Sequence, residues 1–168
     1  MLDDLYRELI LDHYRSPRGA APLERTDRRA EGQNPLCGDE CTVSLRLDGE
    51  KVLQVGFRGR GCSISVASGS MMAGEIEGLS LAEVRRLEAS VKSMLQGKGR
   101  DPSLDLGDLE ALEGVARFPV RVKCALLPWT TLLEALSRKD PAGERARVTT
   151  EQAGHGPGGA AGGGGGGI

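Results

Sequence analysis

TVSLRLDGEKVLQVGF, residues 42–57, alternates with a period of two: Val43, Leu45 and Leu47 against Thr42, Ser44 and Arg46, then Leu53, Val55 and Phe57 after an Asp48-Gly49 turn. Strict alternation on both sides of a turn predicts a β-hairpin with one buried face. The chemistry sits at the hairpin's open end. NPLCGDE, with Cys37 and Asp39, precedes the first strand, and GRGC, ending at Cys62, follows the second. Antiparallel pairing brings those ends together although they are distant in sequence.

Beyond Cys62 the pattern turns helical. SISVASGSMMAGEIEG is rich in small residues, and Ser80-Leu-Ala-Glu83 reads as a capping box opening the stripe Leu81, Val84, Leu87, Val91 and Met94. Cys62 thus falls at a helix N-terminus, where partial positive charge favours a thiolate. Gly59 and Gly61 beside Arg60 let the backbone turn sharply into that helix. Gly97 to Gly107 reads as a loop, followed by a short helix capped by Asp108 and closed by Pro119. A last helix is expected from about Val120 to Arg138, with Leu126, Leu127, Leu132, Leu133 and Leu136 on its apolar face. Pro128 lies near its start or at a kink, and Cys124 is expected in its first turn, at a positive pole. Upstream of the hairpin, Leu2, Leu5, Leu9 and Ile10 mark an amphipathic helix, capped by Asp3 or Asp4 and ended by Pro17 and Gly19. Tyr6, His13 and Tyr14 read as packing residues on or beside it.

The 168 residues suit a single domain that can bury a core without a metal as a staple. After Lys139 the composition changes: DPAGERARVTTEQAGHGPGGAAGGGGGGI carries almost no apolar side chains. The expected division is a folded domain over residues 1–139 and a disordered glycine-rich tail over 140–168, with His155 a solvated residue of that tail. A net charge of −2 and few aromatic residues argue against a nucleic-acid partner. Charges interrupt every apolar run of the N-terminal helix, so neither a signal peptide nor a membrane span is expected, and a cytoplasmic location is. In that reducing compartment the four cysteines read as metal-binding or catalytic before they read as disulfides.

Cys37, Asp39, Cys62 and Cys124 arrive from a pre-strand loop and two helix starts, a convergence suited to a tetrahedral ion. Zinc accepts three sulfurs and one oxygen, and an iron-sulfur cluster could use the same donors. Cys41 is also spaced plausibly from Cys37 for an all-cysteine site, and spacing alone leaves that open.

Three motifs together, NPLCGD from Asn34 to Asp39, GRGCSISVAS from Gly59 to Ser68 and RVKC from Arg121 to Cys124, resemble those of the IscU and NifU N-terminal family of iron-sulfur cluster assembly proteins. The resemblance covers essentially Leu2 to Arg138. It implies an α+β fold, a small antiparallel β-sheet of about three strands packed with helices on one face. Two departures resemble the SufU branch of zinc-dependent sulfurtransferases: Lys123 stands where scaffold members carry a histidine, and the connection from Cys62 to Cys124 is longer than theirs. On that resemblance Cys37, Asp39, Cys62 and Cys124 would bind zinc, and Cys41 would not. The partner would be a SufS-type pyridoxal-phosphate cysteine desulfurase. Cys37, as a thiolate released from zinc, would accept its persulfide sulfur and pass it to a downstream Suf scaffold or apo-proteins. The alternative within the family is a scaffold that assembles a cluster on the same cysteines. Three thiolates and a carboxylate around a divalent ion leave about two surplus negative charges. Arg58, Arg60, Arg121 and Lys123 are expected to offset these or to steer the partner.

Overall fold

Residues 2–138 and 147–149 are described in the computed structural model of the chain. The hairpin forms from β2, Asp39–Asp48, and β3, Lys51–Arg60, paired antiparallel. Val43, Leu45, Val55 and Phe57 are buried as the alternation requires. Leu53 departs from it. The register shifts between Arg46 and Leu47, so that Leu47 faces Val52; Val52 takes the core position and Leu53 is 38% exposed. A bulge reverses the facing of every residue beyond it, which an unbroken alternation cannot foresee.

A preceding strand, β1, Arg28–Asn34, pairs antiparallel with β2, from Arg28 opposite Leu45 to Asn34 opposite Asp39. Its sequence RRAEGQN offers only Ala30 to the core. The strand is tied down instead by its ladder and by a close approach of the last helix, α4, Pro119–Ser137: a Cβ at Gly32 would collide with Thr131 Oγ1. The three expected antiparallel strands are therefore present. Arg147–Thr149, β4, adds a short parallel strand beside β1, giving the order β3-β2-β1-β4. The rest of the stretch expected to be disordered, with His155, lies outside the described residues.

Helices α1, Leu2–Arg15, α2, Ser63–Ile76, α3, Leu81–Leu95, and α4 enclose the core together with a 3-10 helix, Gly107–Arg117. The small-residue helix α2 is buried from Ser65 through Ala73, as befits a segment with no polar face. Helix α3 opens on the expected capping box, Ser80 with Glu83, and buries Val84, Leu87, Val91 and Met94. On α1 the expected stripe is corrected at Leu5, which is 57% exposed, and the packing expected of Tyr14 is corrected too, since it is exposed; His13 is buried, as expected of a packing residue. His13 Nδ1 lies 2.7 Å from Ser70 Oγ and Nε2 lies 2.8 Å from Asp108 Oδ2. Ser70 Oγ accepts the Arg18 N–H at 2.8 Å, leaving its own proton for Nδ1, so the network is satisfied with the ring proton on Nε2 facing Asp108. Asp108 therefore holds α1 rather than capping the segment it sits in, which has no side-chain cap. Pro119 likewise opens α4 instead of closing the element before it; its missing N–H costs nothing there.

Candidate metal centre

Between β1 and β2 the chain makes a tight turn, Pro35-Leu36-Cys37-Gly38, closed by the N–H groups of Cys37 and Gly38 on the Asn34 carbonyl at 3.2 and 2.9 Å. Asn34 is 1% exposed. Its Oδ1 accepts the Leu36 N–H, and its Nδ2 donates toward Cys124 Sγ at 3.7 Å. Sequence reasoning assigned Asn34 no role; the Asn-Pro pair, a turn initiator, was the available signal. The turn leaves Cys37 half-buried and Asp39 fully buried.

Asp39 is held by the start of α2. Its Oδ1 accepts the Cys62 N–H at 2.8 Å, and its Oδ2 lies 3.5 Å from Cys62 Sγ. Cys62 is the N-cap of α2, as expected, and the positive end of that helix favours the carboxylate it touches. The approach is tight because Gly61 has φ +127° and no side chain: a Cβ there would run into the Asp39 carboxylate.

Cys124 arrives from α4, as its sixth residue, so the expectation that it occupies the first turn is corrected. The helix pole does not dominate it. Burial pushes its thiol well up, with the hydrogen bonds it donates to Cys37 and Asp39 and the charge of Cys62 and Asp39 adding to the rise. Its Sγ lies 3.4 Å from Cys37 Sγ and 3.6 Å from the Val120 carbonyl. A bound metal would displace the thiol proton and remove this penalty.

Among the described residues, the donor atoms of Cys37, Asp39 and Cys124 lie within 4.8 Å of one another. Cys62 is not one of that trio and reaches it through Asp39. The set fits zinc. Bond lengths of about 2.0–2.3 Å in a tetrahedron place neighbouring donors about 3.5–3.8 Å apart; Cys37 with Cys124 at 3.4 Å and Asp39 with Cys62 at 3.5 Å are close to this, while Cys62 has to move toward the other two thiols to complete the set. Arg121 lies beside the cluster, held above its ordinary value by negative charge on Cys62 and Cys124. Lys123 is exposed. Arg58 and Arg60 are exposed too, in a groove they share with Glu40 and Thr42. Cys41 stands apart: it is 4% exposed, donates to Thr131 Oγ1 at 3.3 Å, and its thiol is pushed up by burial to about 12.

A one-sided α+β sheet with thiols and a carboxylate gathered at one end agrees with the motif resemblance. The chain belongs to the NifU-like N-terminal domain family, which it matches over residues 5–125. It is 42% identical over 139 residues to the zinc-dependent sulfurtransferase SufU of Bacillus subtilis (strain 168), covering 83% of this chain and 94% of that one. It is 36% identical over 137 residues to the iron-sulfur cluster assembly scaffold protein IscU of Streptococcus pyogenes serotype M1, covering 82% and 86%. The crystal structure of an iron-sulfur cluster assembly scaffold protein for the SUF system (FiSufU) from thermophilic Fervidobacterium islandicum AW-1 matches with a TM-score of 0.72 and 37% identity, over 77% of this chain and 94% of that one. No helix among the described residues is long and apolar enough to cross a membrane.

Proposed function

We propose that the chain is a zinc-dependent sulfurtransferase of iron-sulfur cluster assembly, taking persulfide sulfur from a SufS-type cysteine desulfurase. Cys37, Asp39, Cys62 and Cys124 are its zinc donors. The observation that carries this reading is the clustering of Cys37, Asp39 and Cys124, with Cys62 bonded to Asp39, in a chain 42% identical to a zinc-dependent sulfurtransferase. Zinc, when bound, keeps the thiols deprotonated at neutral pH.

Cys37 is the acceptor. It is half-buried where Cys124 is fully enclosed, and its neighbour Leu36 is 65% exposed, so the turn faces incoming protein. As a thiolate, Cys37 Sγ attacks the outer sulfur of the donor persulfide. A bond forms between Cys37 Sγ and that sulfur, the donor S–S bond breaks, and the donor cysteine leaves as a thiolate. Any proton on the outer sulfur stays on that sulfur as it passes to Cys37, and no net oxidation or reduction occurs. Asn34 Nδ2 keeps its contact with the Cys124 sulfur meanwhile, and Arg121 offsets the local negative charge. Such thiols need a reducing compartment, the cytoplasm.

Anaerobic purification, metal analysis, an absorption spectrum and desulfurase turnover test the proposal. The expected result is a colourless protein with one zinc per chain that accelerates the desulfurase, the acceleration disappearing in Cys37→Ala. A brown, iron-loaded protein that transfers a cluster and leaves the desulfurase rate unchanged would overturn it in favour of a scaffold.

A further inference from the structure

Helix α4 is weakened at the residue that carries the metal donor. Pro128 lies inside it and has no N–H, so the Cys124 carbonyl four residues earlier lacks its helical donor, and the proline ring presses on that same carbonyl. The helix changes character there as well. Pro119, Val120, Arg121 and Lys123 are exposed, whereas Cys124, Ala125, Leu127, Pro128 and Trp129 are buried. The exposed turn bearing Arg121 and Lys123 is therefore joined to the core, through Cys124, at a point that is one hydrogen bond short.

A contact to the next carbonyl along comes from another helix. Ser68 Oγ donates to the Ala125 carbonyl at 2.6 Å, and both residues are fully buried. Ser68 belongs to α2, whose N-cap is Cys62. A single bond thus ties the helix opened by Cys62 to the residue following Cys124. The other buried hydroxyls of α2 do no such thing: Ser70 bonds His13, and Ser65 has no partner.

We infer that Ser68 is a positioning residue of the metal centre: its bond to Ala125 holds Cys124 at the spacing from Cys62 and Asp39 that a tetrahedral ion needs, and the Pro128 joint makes that bond necessary. The inference rests on the zinc reading above and adds residues that are not donors.

The test is a zinc titration against a chromophoric chelator, with the absorption bands of the cobalt-substituted protein as a second readout and circular dichroism of the metal-free protein as the folding control. Removing a contact that orients a metal donor typically costs 10- to 100-fold in affinity, so Ser68→Ala is expected to bind zinc at least about tenfold more weakly and to shift the cobalt bands. Ser65→Ala, which removes an unpartnered hydroxyl from the same helix, is expected to match wild type. Pro128→Ala returns a donor to the Cys124 carbonyl and is expected to recover most of the affinity in the Ser68→Ala background. If Ser68→Ala fails to fold, Ser68→Cys, a weaker donor of similar size, is expected to fall below wild type in affinity. Wild-type affinity in Ser68→Ala or Ser68→Cys, an equal loss in Ser65→Ala, or no recovery with Pro128→Ala would overturn the inference. A wild-type protein that takes up no zinc would instead overturn the zinc reading and the inference with it, a result distinguishable from any of these.

Discussion

Replacing Gly61 by alanine attacks the metal centre without altering any donor. The residue has φ +127°, and a Cβ there would meet the Asp39 carboxylate and come within 2.8 Å of Asp39 Cα. Holding a side chain in that backbone region costs about 1–3 kcal/mol. Asp39 must also move, which breaks its 2.8 Å bond from the Cys62 N–H; a hydrogen bond to a charged group contributes about 1.5–3 kcal/mol. Together these give roughly 2.5–6 kcal/mol, a large share of the 5–15 kcal/mol typical of a whole domain. At about 3 °C per kcal/mol for a chain of this size, Gly61→Ala should melt roughly 8–18 °C below wild type. Gly38→Ala is the matched control. It adjoins Cys37 and Asp39 and has φ +73°, yet nothing lies within 4 Å of its Cβ position, so only backbone strain of about 1–2 kcal/mol is expected. Thermal melts of the metal-free proteins and zinc competition titrations read both effects. The reasoning fails if Gly61→Ala melts no lower than Gly38→Ala and holds zinc as tightly.

The Phe57 ring occupies the space a Cβ at Gly69 would need, so it joins β3 directly to α2; Phe57→Ala should lose about 3–5 kcal/mol in urea unfolding, and a loss below about 1 kcal/mol would mean the ring is not close-packed. With its thiol near 12, Cys41 should resist iodoacetamide at pH 8 in the folded, metal-free protein while half-buried Cys37 reacts, and Cys41→Ser should retain stoichiometric zinc; loss of that zinc would place Cys41 among the donors. Burial raises the Glu75 carboxyl above its ordinary 4.5, with its bond from the Asp108 N–H opposing the rise. The folded state therefore holds the proton more tightly, and stability falls as pH rises from 4.5 through the raised value. Glu75→Gln should accordingly melt higher than wild type at pH 7 and level with it well below pH 4.5, whereas an equal gain at both pH values would rule out ionisation as the cause.

The parts of the fold that announce themselves in sequence are those whose side chains carry the packing. Val43, Leu45, Val55 and Phe57 fill one face of a hairpin, and the Ser80 capping box with Val84, Leu87 and Val91 fixes α3, so periodicity finds both. Strand β1 has no such signal, because Gly32 and Ala30 let α4 pack close to its backbone. Leu53 shows the opposite failure: its hydrophobicity was read correctly and its facing was not, since a bulge is a property of the pairing rather than of either strand. At the site, the motif residues Cys37, Asp39 and Cys124 converge, and Cys62 reaches them through Asp39. Asn34, Ser68 and His13 were missed as interacting groups because each acts through a partner far away in sequence, Cys124, Ala125 and Asp108 respectively.

The four proposed donors sit on three separate anchors: one turn for Cys37 and Asp39, the start of α2 for Cys62, and α4 for Cys124. Cys37 and Cys124 are 87 positions apart, so a bound ion works as a clasp closing a long loop. A clasp loses its hold when an anchor lets go, but the turn is fastened twice. On the proposed function Cys37 would leave with its cargo while Asp39 kept that anchor attached, so the donor proposed to do the chemistry would also be the one whose departure opens no loop.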